Sequence, residues 1–323
     1  MKCIGKLTIT CLALTATSVI LFSGCGKKEE VVAAYEAENY NKELYTGKLF
    51  AEDLCIANGN ISMDGAPDPA GTHAIGLFDL EGKKTDFAYN VQERLYPAST
   101  TKIMTALLAI ENADLEDIVT ISANADARTF AADESTCGIK EGDEMTLEDL
   151  LNGLLLHSGN DNAVAIAEHV SGSIEAFAKL MNERAESLMA TGTHFTNPSG
   201  LHDENHYTTA YDLYLIFNEC IKHPEFVDII QSSSYTANIK GADGNLRQET
   251  WEPSHFYAQG EAVPPENASI IGGKTGTTKL AGNCLILLEE DQNGKPFISI
   301  VMGADTKDLL YQDMTALIEG IPN

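Results

Sequence analysis

Residues 96–111 read YPASTTKIMTALLAIE, and the rest of the chain is best understood outward from this stretch. Apolar residues at Ile103, Met104, Leu107, Leu108 and Ile110 crowd more than one face of a helix. The spacing therefore predicts a helix over 100–111 that is buried on most sides. Ser99 stands at its start with Lys102 three residues on, which puts both side chains on one face. A serine hydroxyl attacks poorly until a neighbour takes its proton, and a lysine can take it only when neutral. Burial and a second nearby cation both favour the neutral amine, and a helix start favours negative charge developing near Ser99. Ser99 and Lys102 are thus a candidate nucleophile and base. A Ser-x-x-Lys spacing arises about once by chance in a chain of this size, so the context carries the weight. The plain alternative, a solvent-facing lysine, is opposed by the apolar residues around it.

On the N-terminal side, residues 74–90 (AIGLFDLEGKKTDFAYN) read as two strands about a Glu81-Gly82 turn. From about 112 to 230 the pattern is helical. Thr146 with Asp149 forms a capping-box pattern before an apolar run ending at His157; 162–170, 174–189 and 209–223 continue it, the last stopped by Pro224. Residues 269–303 turn to strand character around an Asp291-Gln292-Asn293-Gly294 turn, and a helix over 308–319 follows. Residues 236–266, with Trp251 and Pro264-Pro265, fit neither pattern and are expected as a long loop. The expected fold is α/β (α+β): an antiparallel sheet formed by both chain ends and flanked by helices, with a helical lobe inserted over about 112–235.

The 323 residues carry 21 Lys+Arg against 48 Asp+Glu, a net charge of −27. No basic stripe stands out, so nucleic acid is excluded as a partner, and anionic lipid would repel such a surface. An anchor is expected instead at the start. Met1-Lys2 and Lys6 precede an apolar stretch from Leu7 to Phe22 that has the length and order of a secretory signal. Phe22-Ser23-Gly24-Cys25 resembles the lipobox of bacterial lipoproteins, although Phe22 stands where Leu is usual. The resemblance implies a signal over 1–24, a lipidated Cys25, a charged tether over 25–50 and a catalytic domain over 51–323; the alternative is an ordinary signal with a chance Cys. Each buried methylene of such lipid chains contributes about 0.8 kcal/mol. Cys55, Cys137, Cys220 and Cys284 form no C-x-x-C pair, and two disulfides or four buried thiols are equally compatible with the sequence.

Two further motifs follow Ser99-Thr100-Thr101-Lys102. Ser158-Gly159-Asn160 falls between two expected helices, where it can be a mere connection or can aim a hydroxyl and an amide into a cleft. Lys274-Thr275-Gly276-Thr277 lies on the first of the late strands. There it can be a solvated edge or a carboxylate-binding strand against which something packs at Gly276. Lys274 is also the candidate second cation near Lys102. Each motif alone is weak. In this order the three resemble the low-molecular-mass penicillin-binding proteins, the serine D-alanyl-D-alanine carboxypeptidases. Leu150–Glu168, Asn197-Pro198-Ser199-Gly200-Leu201 and Thr209-Ala210-Tyr211-Asp212 add to the likeness, which runs from about residue 50 to the end.

The resemblance implies an acylated Ser99, Lys102 as proton acceptor and Ser158 as proton relay. Asn160, Lys274, Thr275, Gly276 and Thr277 would line the substrate site, with the Ser99 and Thr277 N–H groups as the oxyanion hole. It implies peptidoglycan stem peptides as substrate, β-lactams as covalent inhibitors, an extracytoplasmic location, and no cofactor or metal. His202-Asp203-Glu204-Asn205-His206 has metallopeptidase His spacing, but Asp203 stands where Glu is required, in an expected loop. Two departures from the family pattern matter. Many members carry an Arg shortly after the last strand, whereas Ala304–Tyr311 offers only Lys307. Many also carry a second, β-rich domain and a C-terminal amphipathic anchor, neither of which is expected here. A β-lactamase would need an activating Glu, usually in Glu-x-x-Leu-Asn between the second and third motifs, and no such string occurs between Ser158 and Lys274. A non-catalytic β-lactam or peptidoglycan sensor is the other rival, opposed by the intact Ser99, Lys102 and Ser158 set.

Overall fold

The computed structural model describes residues 53–321. Its centre is a five-stranded antiparallel sheet built from β1 (Ala74–Asp79), β2 (Lys84–Tyr89), β7 (Ala268–Thr278), β8 (Gly282–Asp291) and β9 (Pro296–Ala304), in the order β2-β1-β9-β8-β7. The N-terminal hairpin joins the C-terminal strands through β1 and β9, with Leu77 opposite Ser299. The first and last strands of the described residues therefore share one sheet, as expected of the fold. Strand side chains alternate faces, and here both faces are covered. Ile75, Leu77, Leu285, Leu287 and Val301 pack under the last helix, α8 (Lys307–Glu319), through Leu310, Met314 and Leu317. Phe78, Ile286, Ile298 and Ile300 face the opposite way into the larger core with the inserted lobe.

That lobe is organised around α1 (Lys102–Asn112), in which every residue from Lys102 to Ala109 is buried. A 3-10 turn, Ala98–Thr101, precedes it, so Ser99 sits on the turn and the α-helix proper begins at Lys102. Helix α2 (Leu147–Leu156) starts with the reciprocal Thr146–Asp149 capping box. Helices α3 (Asn160–Ser171), α4 (Ile174–Ser187), α5 (Ala210–Cys220) and α6 (Pro224–Ile230) follow. Pro224 ends one helix only in the sense that it opens the next, at whose first turn its missing N–H costs nothing.

Two expectations need correction. Residues 236–266 are not a long loop. Strands β5 (Tyr235–Lys240) and β6 (Leu246–Trp251) form a hairpin, and β3 (Ile118–Thr120) and β4 (Glu144–Thr146) extend it to a four-stranded sheet in the order β3-β4-β5-β6. The inserted lobe is accordingly not purely helical. These strands hide in the sequence because only Ala237, Ile239 and Trp251 of the hairpin are buried. The outward face is polar, with Thr236 and Thr250 paired hydroxyl to hydroxyl at 2.9 Å. A short helix, α7 (Phe256–Gln259), completes the segment. Cys55, Cys137, Cys220 and Cys284 are all buried free thiols, which closes the choice the sequence left open. Among the described residues no helix is long and apolar enough to cross a membrane. The expected signal, Cys25 and nearly all of the tether lie outside the described residues.

Candidate active site

The three motifs meet where the inserted lobe abuts the edge strand β7. Ser99 is presented by the 3-10 turn, half-buried, after Ala98 adopts a left-handed φ of 48°. Gly276 allows the strand to lie against that turn: a Cβ there would stand 2.9 Å from the Pro97 carbonyl oxygen and 3.1 Å from the Ser99 nitrogen. On the other side Gly200, at φ +84°, lets its loop approach so closely that a Cβ would meet the Ala98 carbonyl oxygen at 1.8 Å.

Lys102 is fully buried. Its Nζ lies 3.0 Å from Ser99 Oγ, 2.7 Å from Asn160 Oδ1 and 2.7 Å from the Ser199 carbonyl oxygen. The last two can only accept, whereas a hydroxyl can also donate. A neutral amine has two N–H bonds and one lone pair, so it can donate to both carbonyls and keep the lone pair for the Ser99 O–H. Burial, then the charge of Lys274, holds the Lys102 pKa well below the ordinary lysine value. Geometry and electrostatics thus favour the same protonation state.

Lys274, also buried, donates to Ser158 Oγ at 3.0 Å and to the Thr275 carbonyl at 3.0 Å; burial brings its pKa down to about 7. Ser158 sits at the turn between α2 and α3 with φ +64°. The structure places its hydroxyl on Lys274 rather than in a hydrogen bond to Ser99 or Lys102. Asn160 opens α3, and its backbone N–H is held by the Ser135 carbonyl. The neighbouring Asp161 carboxylate accepts from the Cys137 and Ile139 N–H groups and fixes the 135–139 loop against it. Ser99, Ser158, Thr275, Gly276 and Thr277 line a cavity of about 210 Å³.

Several residues at this cavity escaped the sequence reading. The Ser199 carbonyl is a backbone group, and no residue-type signal announces it. Ser254 Oγ lies 2.7 Å from Thr275 Oγ1, and Phe256 stacks on Tyr311 with centroids 4.7 Å apart. Both come from the segment expected to be a loop. Lys307, the one basic residue that the sequence offers after the last strand, also lines the cavity, its ammonium 5.1 Å over the Phe256 ring. His202 and His206 are used otherwise than for metal. His206 Nδ1 accepts from the Thr196 N–H, which leaves the proton on Nε2, 2.8 Å from Thr101 Oγ1; the His202 ring meets Tyr96 edge-on.

Residues 63–306 match the family model described as D-alanyl-D-alanine carboxypeptidase, Peptidase S11. The chain is 33% identical over 248 residues to D-alanyl-D-alanine carboxypeptidase DacF of Bacillus subtilis, covering 75% of this chain and 60% of the relative. To DacC of Escherichia coli it is 32% identical over 250 residues, 75% of this chain and 59% of the relative. It thus spans about 60% of the length of these curated relatives. The solved Streptomyces K15 DD-transpeptidase superposes with a TM-score of 0.72 at 26% identity, over 79% of this chain and 98% of that one. Penicillin-binding protein 5 of Haemophilus influenzae gives 0.68 at 28% identity, over 79% and 71%. With the expected fold, the three motifs brought together and a family match over most of its length, the chain belongs to the D-alanyl-D-alanine carboxypeptidase family, peptidase S11.

Proposed function

We propose that the protein is a serine D-alanyl-D-alanine carboxypeptidase that removes the terminal D-Ala from peptidoglycan stem peptides. The observation that carries this is Lys102, buried and held between two carbonyls with its nitrogen 3.0 Å from Ser99 Oγ. Lys102 takes the Ser99 proton as Oγ attacks the carbonyl of the penultimate D-Ala. The Ser99 and Thr277 N–H groups hold the resulting oxyanion, each contributing about 3 kcal/mol. The C–N bond then breaks as the departing D-Ala nitrogen takes up, by way of Ser158, the proton that Lys102 accepted, which leaves Lys102 neutral again. Water, deprotonated by Lys102, cleaves the acyl ester and regenerates Ser99.

Strand β7 is the outer strand of the sheet, so an extended peptide can lie along it. With its terminal carboxylate toward Lys274, Thr275 and Lys307, the peptide runs antiparallel to β7. Lys307 would supply the charge that an Arg supplies in many relatives. β-Lactams would acylate Ser99 in the same way. Among the described residues lining the cavity none is a carboxylate that could activate a second water, so the penicilloyl ester should last minutes or longer.

Ser99→Ala should abolish both D-Ala release from a D-Ala-D-Ala peptide and covalent labelling by fluorescent penicillin. Labelling at the wild-type level would overturn the assignment, and rapid penicillin hydrolysis with no peptide turnover would replace it with a β-lactamase. We also infer an extracytoplasmic protein held by lipid on Cys25, on the strength of the Phe22–Cys25 pattern. Cys25→Ser should leave the chain unacylated, and a wild-type N-terminus found unacylated by mass spectrometry would refute the anchor.

A further inference from the structure

Cations in this acid-rich chain usually have a carboxylate partner. Arg184 lies between Glu111 and Glu219, Arg247 pairs with Asp143, Arg128 with Asp126 and Lys240 with Glu144; Lys83, Lys84, Lys179, Lys222 and Lys295 are paired as well. Among the described residues Lys102, Lys274, Lys307, Arg94, Lys279 and Lys140 have no carboxylate oxygen within 4 Å, and the Arg94 charge acts on Asp212 from farther away. Lys307 lines the Ser99 cavity, and Lys102 and Lys274 lie behind it on Ser99 and Ser158. Arg94 and Lys279 line a second one, of about 600 Å³, nearly three times as large.

Residues that line the second cavity stand close in sequence to those that line the first. Tyr96, three residues ahead of Ser99, lines the second, and so does the β7–β8 turn from Lys279 to Gly282, just past Thr277. Lys279 is the first residue past the end of β7, and at about 3.3 Å per strand residue it stands roughly 13 Å from Thr275. A peptide antiparallel to β7, its terminal carboxylate near Thr275 and its scissile carbonyl at Thr277, brings the residue preceding D-Ala-D-Ala level with Lys279. Arg94 is held at this place, its guanidinium carbon 4.7 Å over the Tyr207 ring. His73, on the same cavity, faces Glu93 at 3.4 Å. Two exposed carboxylates, Glu204 and Asp305, also line it and oppose an anion there.

We propose that this cavity is a subsite for the acyl-donor arm of the substrate, in which Arg94 and Lys279 bind a carboxylate on the side chain preceding D-Ala-D-Ala. The proposal rests on the carboxypeptidase reading and adds a substrate preference to it. The test uses two peptides ending in D-Ala-D-Ala that differ only in whether the preceding side chain ends in a carboxylate or its amide. The wild-type protein should favour the carboxylate by about tenfold in kcat/KM, the size expected of a charge-assisted contact. The preference should shrink with added salt, fall toward unity in Arg94→Gln/Lys279→Gln, and grow in Glu204→Gln. Equal kcat/KM for the two peptides in the wild type would overturn the subsite while leaving the activity standing. A double variant that keeps the full preference would overturn it too. Release of D-Ala from neither peptide would instead overturn the carboxypeptidase reading, and the subsite with it.

Discussion

Lys102 and Lys274 are both lysines buried at one site, yet the proposed chemistry asks opposite protonation states of them. Lys102 must be neutral to take a proton, and burial beside another cation depresses its pKa in that direction. Lys274 must be charged to attract a carboxylate, and at about 7 it loses that charge as pH rises through neutrality. The sign follows directly. On the acid side kcat/KM should rise as Lys102 deprotonates; on the alkaline side it should fall above about pH 7 as Lys274 does. Bound substrate carboxylate stabilises the Lys274 cation, so the alkaline limb of kcat should lie at higher pH than that of kcat/KM. Steady-state profiles with a D-Ala-D-Ala peptide measure both limbs, and a kcat/KM that is flat from pH 7 to 9 would contradict this division of roles.

At the scale of elements, the site depends on how closely β7 approaches the turn before α1. Gly276 is the contact point, and the atoms a Cβ would meet there are backbone: the Pro97 carbonyl oxygen at 2.9 Å, the Thr100 nitrogen at 3.0 Å and the Ser99 nitrogen at 3.1 Å. Backbone cannot swing aside as a side-chain tip can, so Gly276→Ala should push the strand from the turn by a few tenths of an ångström. Both donors of the proposed oxyanion hole, on Ser99 and Thr277, would then be displaced together. We expect acylation by penicillin to slow by about tenfold, since a displacement of about 1 Å can cost a hundredfold and this one is smaller. The far-UV spectrum should change little, because the ladder from β7 to β8 is untouched. Wild-type acylation kinetics in this variant would show that the contact does not set the geometry.

At the scale of the molecule, the site belongs to neither lobe alone. Ser99 and Lys102 come from the turn and helix that lead into the inserted lobe, Ser158 and Asn160 from that lobe, and Lys274 to Thr277 from the sheet. One core joins them, with Phe78 of β1 stacked on Tyr214 of α5 at 4.2 Å between ring centroids and Ile286 and Ile300 packed among lobe residues. A shared core predicts one cooperative unfolding transition. Loss of penicillin labelling and loss of helical signal should therefore coincide on heating. A labelling midpoint well below the spectroscopic one would mean that the lobes separate before they unfold.

How much of this was legible beforehand follows from the kind of signal each feature leaves. The buried helix after Ser99, the two-ended sheet and the Thr146 cap were readable because apolar periodicity and capping residues act over a few neighbouring positions. Ser99, Lys102, Ser158 and Lys274 stood out because the chemistry proposed for them needs particular side chains at short spacings. The β5–β6 hairpin did not, since one of its faces is polar and its few buried residues are too sparse to mark a strand. The Ser199 carbonyl left no residue-type trace, being backbone. Ser254, Phe256 and Lys307 became part of the cavity only when segments far apart in sequence were folded against one another. Sequence alone determined which groups could react. Tertiary structure decided which way the pKa values of the two lysines move, because depth of burial and the distance between charges belong to the folded molecule and to no local stretch of it.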